Sequence, residues 1–220
     1  MTDETPVIPE LNRRRLLRGG LVAGAGLAVA GLGTFGLARV AEAVTFDTQF
    51  YWAYCNNCAS LWYTDNNTAG VCTYAVYKHG SGGHIKSPSF SYELRYNVSG
   101  TGGPSYQPGW NWCGKCQCLF FANNATYSVC PATDFTGNHT TGGLAYSVLY
   151  NDAVAGSSQP NWWWCGQCQG LFYSSDNVGG YCPATQDGAG PHVSGQGSLF
   201  DPPIINSLAY DVSYYSTSSP

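Results

Sequence analysis

The sequence predicts an all-β protein: a β-trefoil-like unit of three pseudo-equivalent four-strand repeats, each with its own Cys3His metal site. Three observations lead there. One phrase recurs three times, the cysteines within it keep a fixed spacing, and the large aromatic side chains are abundant enough to imply one shared core.

The copies can be laid directly over one another. The first reads Trp52-Ala53-Tyr54-Cys55-Asn56-Asn57-Cys58, then Leu61-Trp62-Tyr63. The second reads Trp110-Asn111-Trp112-Cys113-Gly114-Lys115-Cys116, then Leu119-Phe120-Phe121. The third reads Trp162-Trp163-Trp164-Cys165-Gly166-Gln167-Cys168, then Leu171-Phe172-Tyr173. Each copy has a further cysteine and closes on an alternating segment: Tyr92 to Tyr96, Tyr146 to Tyr150 and Tyr210 to Tyr214. Short aromatic and β-branched runs broken by Gly, Pro and Asn read as strands. Four per copy are predicted: the Trp-x-Trp/Tyr-Cys run, the Leu-Phe-Phe run, a strand around the third cysteine and the closing Tyr-x-Val-x-Tyr run. No helix-period segment is expected in residues 44–220. The repeats cover about 50–98, 108–152 and 160–216 of a single domain, 44–220. Three such units can close around one axis and leave no long sheet edge. A string of three independent zinc ribbons is the main rival.

Cysteine spacing sets the chemistry. Cys55, Cys58 and Cys72 are spaced C-x2-C-x13-C, and so are Cys113, Cys116 and Cys130, and Cys165, Cys168 and Cys182. A histidine follows each set: His84, His139 and His192. Three thiols per copy cannot pair as disulfides without leaving one over, whereas a Cys3His set is complete and matches a closed four-coordinate zinc site. About three structural zinc ions are therefore expected; soft thiolates with one imidazole favour zinc over calcium or magnesium. A disulfide framework and iron–sulfur clusters are the alternatives. His79 is an alternative first-copy ligand to His84. Cys118 falls outside the sets, at the place of Ser60 and Gly170, and reads as a small residue tolerated beside a strand. The small residues after each first cysteine (Asn56, Gly114, Gly166) suit the knuckle turn.

Residues 1–43 read as an export signal, not as part of the fold. Arg13, Arg14 and Arg15 precede an uncharged Gly/Ala/Leu/Val run from Gly19 to Leu37, and Ala41-Glu42-Ala43 offers a cleavage site. The stretch Asn12-Arg13-Arg14-Arg15-Leu16-Leu17-Arg18 resembles the twin-arginine (Tat) signal. That resemblance implies engagement of the Tat translocase, folding before transport, cleavage after Ala43 and a secreted product with no membrane attachment. An uncleaved anchor is the alternative, because the apolar run is just long enough to span a bilayer.

Beyond residue 43 only Lys78, Lys86, Arg95 and Lys115 are basic, against nine acidic residues. That balance offers no electrostatic footprint for nucleic acid or an anionic membrane. Enzymatic activity is not expected either. Glu93 is the single glutamate of this region; Asp65, Asp134, Asp176 and Asp187 lie in loops between motif elements; and a Cys3His zinc has no open position for substrate. A binding module or adaptor fits better, since loops of Tyr, Trp, Asn, Gly and Ser suit contact with a carbohydrate or a secreted partner protein. Trp163 is the contact candidate: strand alternation turns it away from Trp162 and Trp164, and it corresponds to Ala53 and Asn111. The insertion Gly195 to Ile205 is a second candidate surface.

The phrase Trp-x-Trp-Cys-x-x-Cys-x-x-Leu-Phe-Phe, followed by Val-Cys-Pro-Ala, His and Tyr-x-Val, resembles a tandem repeat of secreted actinobacterial and other bacterial proteins. The resemblance implies trefoil-like binding modules. In size, compartment and composition the chain is also similar to the small secreted adaptor subunit of actinobacterial umbrella toxin particles, which would imply a role as adaptor in a secreted toxin or protein complex. A metal or redox carrier is the remaining alternative.

Overall fold

A computed structural model describes residues 44–99, 105–150, 157–176, 178–195 and 208–215. The signal segment 1–43 and all but the first residue of the Gly195–Ile205 insertion lie outside them. All described residues belong to one compact unit, Val40–Pro220. Among them no helix is long and apolar enough to cross a membrane.

Strands dominate. The first copy supplies β1 (Thr45–Cys55), β2 (Leu61–Tyr63) and β3 (Lys86–Ser99). The second supplies β4 (Tyr106–Cys113), β5 (Leu119–Phe121) and β6 (Thr141–Tyr150). The third supplies β7 (Ser158–Trp164), β8 (Leu171–Tyr173), the short pair β9 (Val178–Gly179) and β10 (His192–Val193), and β11 (Ala209–Tyr215). In each copy the first long strand pairs antiparallel with the Leu-Phe-Phe strand on one side and the closing strand on the other. The closing strands β3, β6 and β11 then pair with one another in turn, at Tyr96↔Tyr146, Tyr210↔Tyr150 and Tyr214↔Tyr92. The nine strands form one nearly closed, barrel-like sheet.

The expected fourth strand, around the third cysteine, is not formed. After Cys72 the chain enters a helix, α1 (Thr73–His79), ending on Gly80 at φ 75°. After Cys130 it makes a 3-10 turn, Pro131–Thr133. Cys182 lies between β9 and β10, outside both. These segments lie off the main sheet and take many of their backbone hydrogen bonds within the loop; Val76 N–H bonds Cys72 O and Thr133 N–H bonds Cys130 O. Helix α1 also corrects the expectation of no helix beyond residue 43.

Alternation along the short strands separates two layers. Leu61, Leu119 and Leu171 point into the barrel, while their neighbours Trp62, Phe120 and Phe172 point outward onto the cysteines. The barrel core draws four buried residues from each copy. They are Trp52, Leu61, Tyr92 and Leu94; Trp110, Leu119, Tyr146 and Val148; and Trp162, Leu171, Tyr210 and Val212. A single core of this kind disposes of three independent ribbons, each of which would need its own.

Contacts between copies run in one direction around a ring. Tyr146 Oη donates to Gln49, Tyr210 Oη to Gln107 and Tyr92 Oη to Gln159. The same tyrosines meet the core tryptophans edge-on: Trp52–Tyr146, Trp110–Tyr210 and Trp162–Tyr92 have centroids 5.2–5.3 Å apart. Backbone bonds close the ring at the knuckles, from Tyr63 N–H to Gln117 O, Phe121 N–H to Gln169 O and Tyr173 N–H to Ala59 O, each 2.8–3.0 Å.

Candidate metal centres

Each C-x2-C turn sits at the end of a two-strand ribbon. In the first copy Cys55 N–H bonds Ser60 O and Ala59 N–H bonds Cys55 O, both at 3.0 Å; the other copies repeat this at Cys113 and Cys165. The left-handed residue of the turn follows the second cysteine, not the first: Ala59 (φ 64°), Gln117 (φ 70°) and Gln169 (φ 67°). Two of these carry a side chain that braces the knuckle. Gln117 Nε2–H donates to Gly114 O at 3.1 Å and Gln169 Nε2–H to Gly166 O at 2.6 Å.

The structure brings together the three expected sets: Cys55, Cys58, Cys72 and His84; Cys113, Cys116, Cys130 and His139; and Cys165, Cys168, Cys182 and His192. All twelve residues are buried, and within each set the ligand atoms lie within 4.8 Å of one another. The first and third sulfurs stand 3.8, 3.9 and 3.7 Å apart in the three sets. The second sulfur stands 3.5, 3.4 and 3.3 Å from the histidine Nδ1. A regular tetrahedron built on zinc bond lengths has S···S edges of about 3.8 Å and S···N edges of about 3.5 Å. A disulfide would need sulfurs about 2.0 Å apart, and all ten cysteines are free. The donor sets therefore fit a tetrahedral cation and do not fit a disulfide framework.

Stacking orients the imidazoles. His84 lies on Trp62 (centroids 5.2 Å, planes 24° apart), His139 on Phe120 (4.8 Å, 24°) and His192 on Phe172 (5.0 Å, 17°). The outward residue of each short strand thus serves as the bed of the ring whose Nδ1 faces the sulfurs. The opposite nitrogen meets the next copy. His84 Nε2 lies 3.0 Å from Cys116 O and 3.3 Å from Cys118 Sγ, and His192 Nε2 lies 3.5 Å from Ser60 Oγ. Cys118, read from sequence as a tolerated small residue, is a buried neighbour of two ligands, His84 and Cys116.

Protons are shared unevenly among the side chains. Hydrogen bonds from Cys58 and Cys72 hold the Cys55 thiol far below its ordinary range, and bonds from Cys116 and Cys130 do the same for Cys113. Burial pushes Cys58, Cys116 and Cys168 well above it. Burial alone would lower His84, but bonds to Cys55 and Cys72 and their charge outweigh that and raise it to about 9. A buried cluster tolerates one thiolate and resists the next, and a divalent cation reverses that preference. Metal loading at neutral pH is expected to release about two protons per cation or more, since bound thiols must ionise. Weakly buffered titration with zinc, followed by pH-stat, measures it; the proton yield should rise as the starting pH is lowered, and acid should strip the metal.

The remaining sequence candidates fall elsewhere. His79 is exposed at the end of α1, its ring 6.3 Å from Tyr74, so His84 and not His79 completes the first set. Trp163 does face away from the barrel core, and it is half-buried against Cys165, Cys168, Phe172 and Cys182. Its Nε1–H donates to Ser174 O at 2.9 Å. Asp65, Asp134, Asp176 and Asp187 are all exposed. Comparison with protein-family models, with curated proteins and with solved structures gave no match.

Proposed function

We propose that the chain is a secreted, non-catalytic binding module or adaptor whose three β-trefoil-like lobes are each held by one structural zinc ion. The observation that carries this reading is the closure of the three Cys3His sets: four protein ligands per cation, all buried, leave no coordination position for water or substrate. Ring-wise contacts between copies support the trefoil-like description, with three main-sheet strands per copy. Elemental analysis with thiol titration of natively purified protein tests the reading. Three zinc ions per chain and nine metal-protected thiols are expected; metal near zero with thiols blocked as disulfides overturns it. Turnover of any substrate that is lost on changing one exposed aspartate would overturn the non-catalytic part.

The binding surface fits an aromatic patch peculiar to the first copy better than Trp163, whose indole N–H is already satisfied. Phe50 and Tyr51 are 44% and 54% exposed, where the other copies carry Pro108-Gly109 and Pro160-Asn161. Phe50 packs edge-on against Tyr215, and Phe90 lies 4.4 Å from Tyr214 beside them. Tyr51 holds φ at 70°, a left-handed conformation natural for Gly109 and Asn161 but strained for tyrosine. Strain retained at an exposed aromatic residue suits a contact residue for a carbohydrate or a secreted partner protein. Tyr51→Asn should therefore raise stability by about 1 kcal/mol, or about 2–4 °C in Tm, while weakening capture on polysaccharide or partner. A thermal melt paired with a pull-down from culture supernatant reads both; an unchanged or lower Tm with capture intact would remove Tyr51 from the surface.

A further inference from the structure

The three metal centres are supported unequally, and the inequality follows the sequence. The first and third centres lean on the next copy through two devices. One is a short residue after the knuckle that meets the histidine Nε2: Cys118 for His84 and Ser60 for His192. The corresponding residue for His139 is Gly170, which has no side chain, and no hydrogen bond to His139 Nε2 is formed among the described residues. The other device is a left-handed glycine two residues before the third cysteine. Gly70 (φ 63°) and Gly180 (φ 62°) let the chain pass so close to the neighbouring knuckle that an added Cβ would lie 2.2 Å from Cys116 O and 2.1 Å from Cys58 O. That approach delivers Val71 N–H to Cys116 O and Tyr181 N–H to Cys58 O, both at 3.3 Å.

The second copy carries Ser128 at that position, at φ −79°. Its hydroxyl turns inward, donating to Ala125 O at 2.6 Å and accepting from His139 N–H at 3.0 Å. No bond from Val129 N–H to Cys168 O is formed among the described residues. The junction between the second and third copies keeps the apolar packing of Val129, but it lacks both polar devices that secure the other two.

Outer groups of this kind fix the ring of a ligating histidine, and their loss costs about 10–100-fold in metal affinity. We infer that the centre of Cys113, Cys116, Cys130 and His139 is the exchangeable one of the three, releasing its cation first while the others hold theirs. Cys118 and Ser60 are positioning residues for the first and third centres, and Gly170 is the missing one of the second. This inference rests on the metal reading above.

Gly170 can be filled. An added Cβ there would lie 3.4 Å from Cys168 Sγ and 3.9 Å from Leu119 O, ordinary contact distances. The test is chelator-driven release from the zinc-loaded full chain, timed with a colorimetric chelator, with alkylation and mass spectrometry to identify the cysteines exposed in each phase. The expected result is one equivalent released at least about tenfold faster than the other two, with Cys113, Cys116 and Cys130 alkylated first. Gly170→Ser should slow that equivalent toward the other two. Cys118→Gly, which leaves His84 Nε2 with Cys116 O alone, should speed the release of a second equivalent, with Cys55, Cys58 and Cys72, and Cys118→Ser should restore it. Three equivalents leaving together from the unmodified chain, or a fast phase unaltered by Gly170→Ser, overturns the inference with the metal reading intact. A chain that binds no zinc at all overturns the metal reading instead.

Discussion

Cys58→Ser is expected to leave no cooperatively folded protein at 25 °C. Cys58 is fully buried, its sulfur faces His84 Nδ1 and its carbonyl accepts from Tyr181 in the third copy. In the zinc-loaded protein of the proposal above, the substitution would leave the ion two thiolates and an imidazole, plus a hydroxyl too weak to serve as fourth ligand. Structural zinc is worth about 10–16 kcal/mol apparent at neutral pH, against a net stability of about 5–15 kcal/mol for an ordinary domain. One lost ion can therefore cancel the whole. Far-UV circular dichroism and a thermal melt decide it, with Cys118→Ser as the comparison. Serine already occupies that position in the first copy as Ser60, so Cys118→Ser should melt within a few degrees of the parent. A Cys58→Ser protein that still melts cooperatively with three bound ions would show that these centres contribute little to folding.

The second large effect is expected in the barrel. Trp110 is fully buried, meets Phe121 at 5.4 Å and Tyr210 of the third copy at 5.2 Å, and donates from Nε1 to Gln107 at 3.2 Å. Trp110→Ala removes a side chain from a core whose neighbours come from all three copies and cannot collapse to fill the space; about 3–5 kcal/mol should be lost. The form of the transition is as informative as its size. One core implies a single transition shifted to lower denaturant with an unchanged slope, the signature of altered stability without a change in cooperativity. Separate loss of the second copy, with the first and third still folded, would return the protein to three independent modules.

Much of this was readable from the chain because both signals are periodic. The recurring Trp-x-Trp/Tyr-Cys, Leu-Phe-Phe and Tyr-x-Val-x-Tyr runs located the three main-sheet strands of each copy. The C-x2-C-x13-C spacing with a following histidine named all three centres. What it could not give is the path between fixed ends. The eleven residues between Cys72 and His84 and the eight between Cys130 and His139 must only return an imidazole to one place, so a helix after Cys72 and a 3-10 turn after Cys130 serve equally. The left-handed position of the knuckle carried no mark in the sequence. Glycine marks left-handed positions when the backbone alone decides, but here the knuckle imposes that conformation on Ala59, Gln117 and Gln169. The role of Cys118 was hidden because its partner His84 is 34 residues away in a different copy. Reading it required knowing that each copy leans on the next.

The ring of tyrosine–glutamine contacts has a bearing on where the polypeptide is cut. Tyr146 reaches back to Gln49, Tyr210 to Gln107, and Tyr92 closes the cycle on Gln159. In this contact the three junctions between copies are alike, and the junction without a peptide link is secured by the same pair as the two that have one. Tyr215 also stands beside β1, its ring 5.1 Å from Phe50 and its hydroxyl accepting from Tyr51 N–H at 3.2 Å. The order of the copies along the chain is thus a matter of connectivity and not of architecture. A circular permutant opened between Ser99 and Tyr106, with a short flexible linker joining the old ends, keeps every contact of the ring and differs from its parent only in loop-closure entropy, a quantity that grows slowly with loop length.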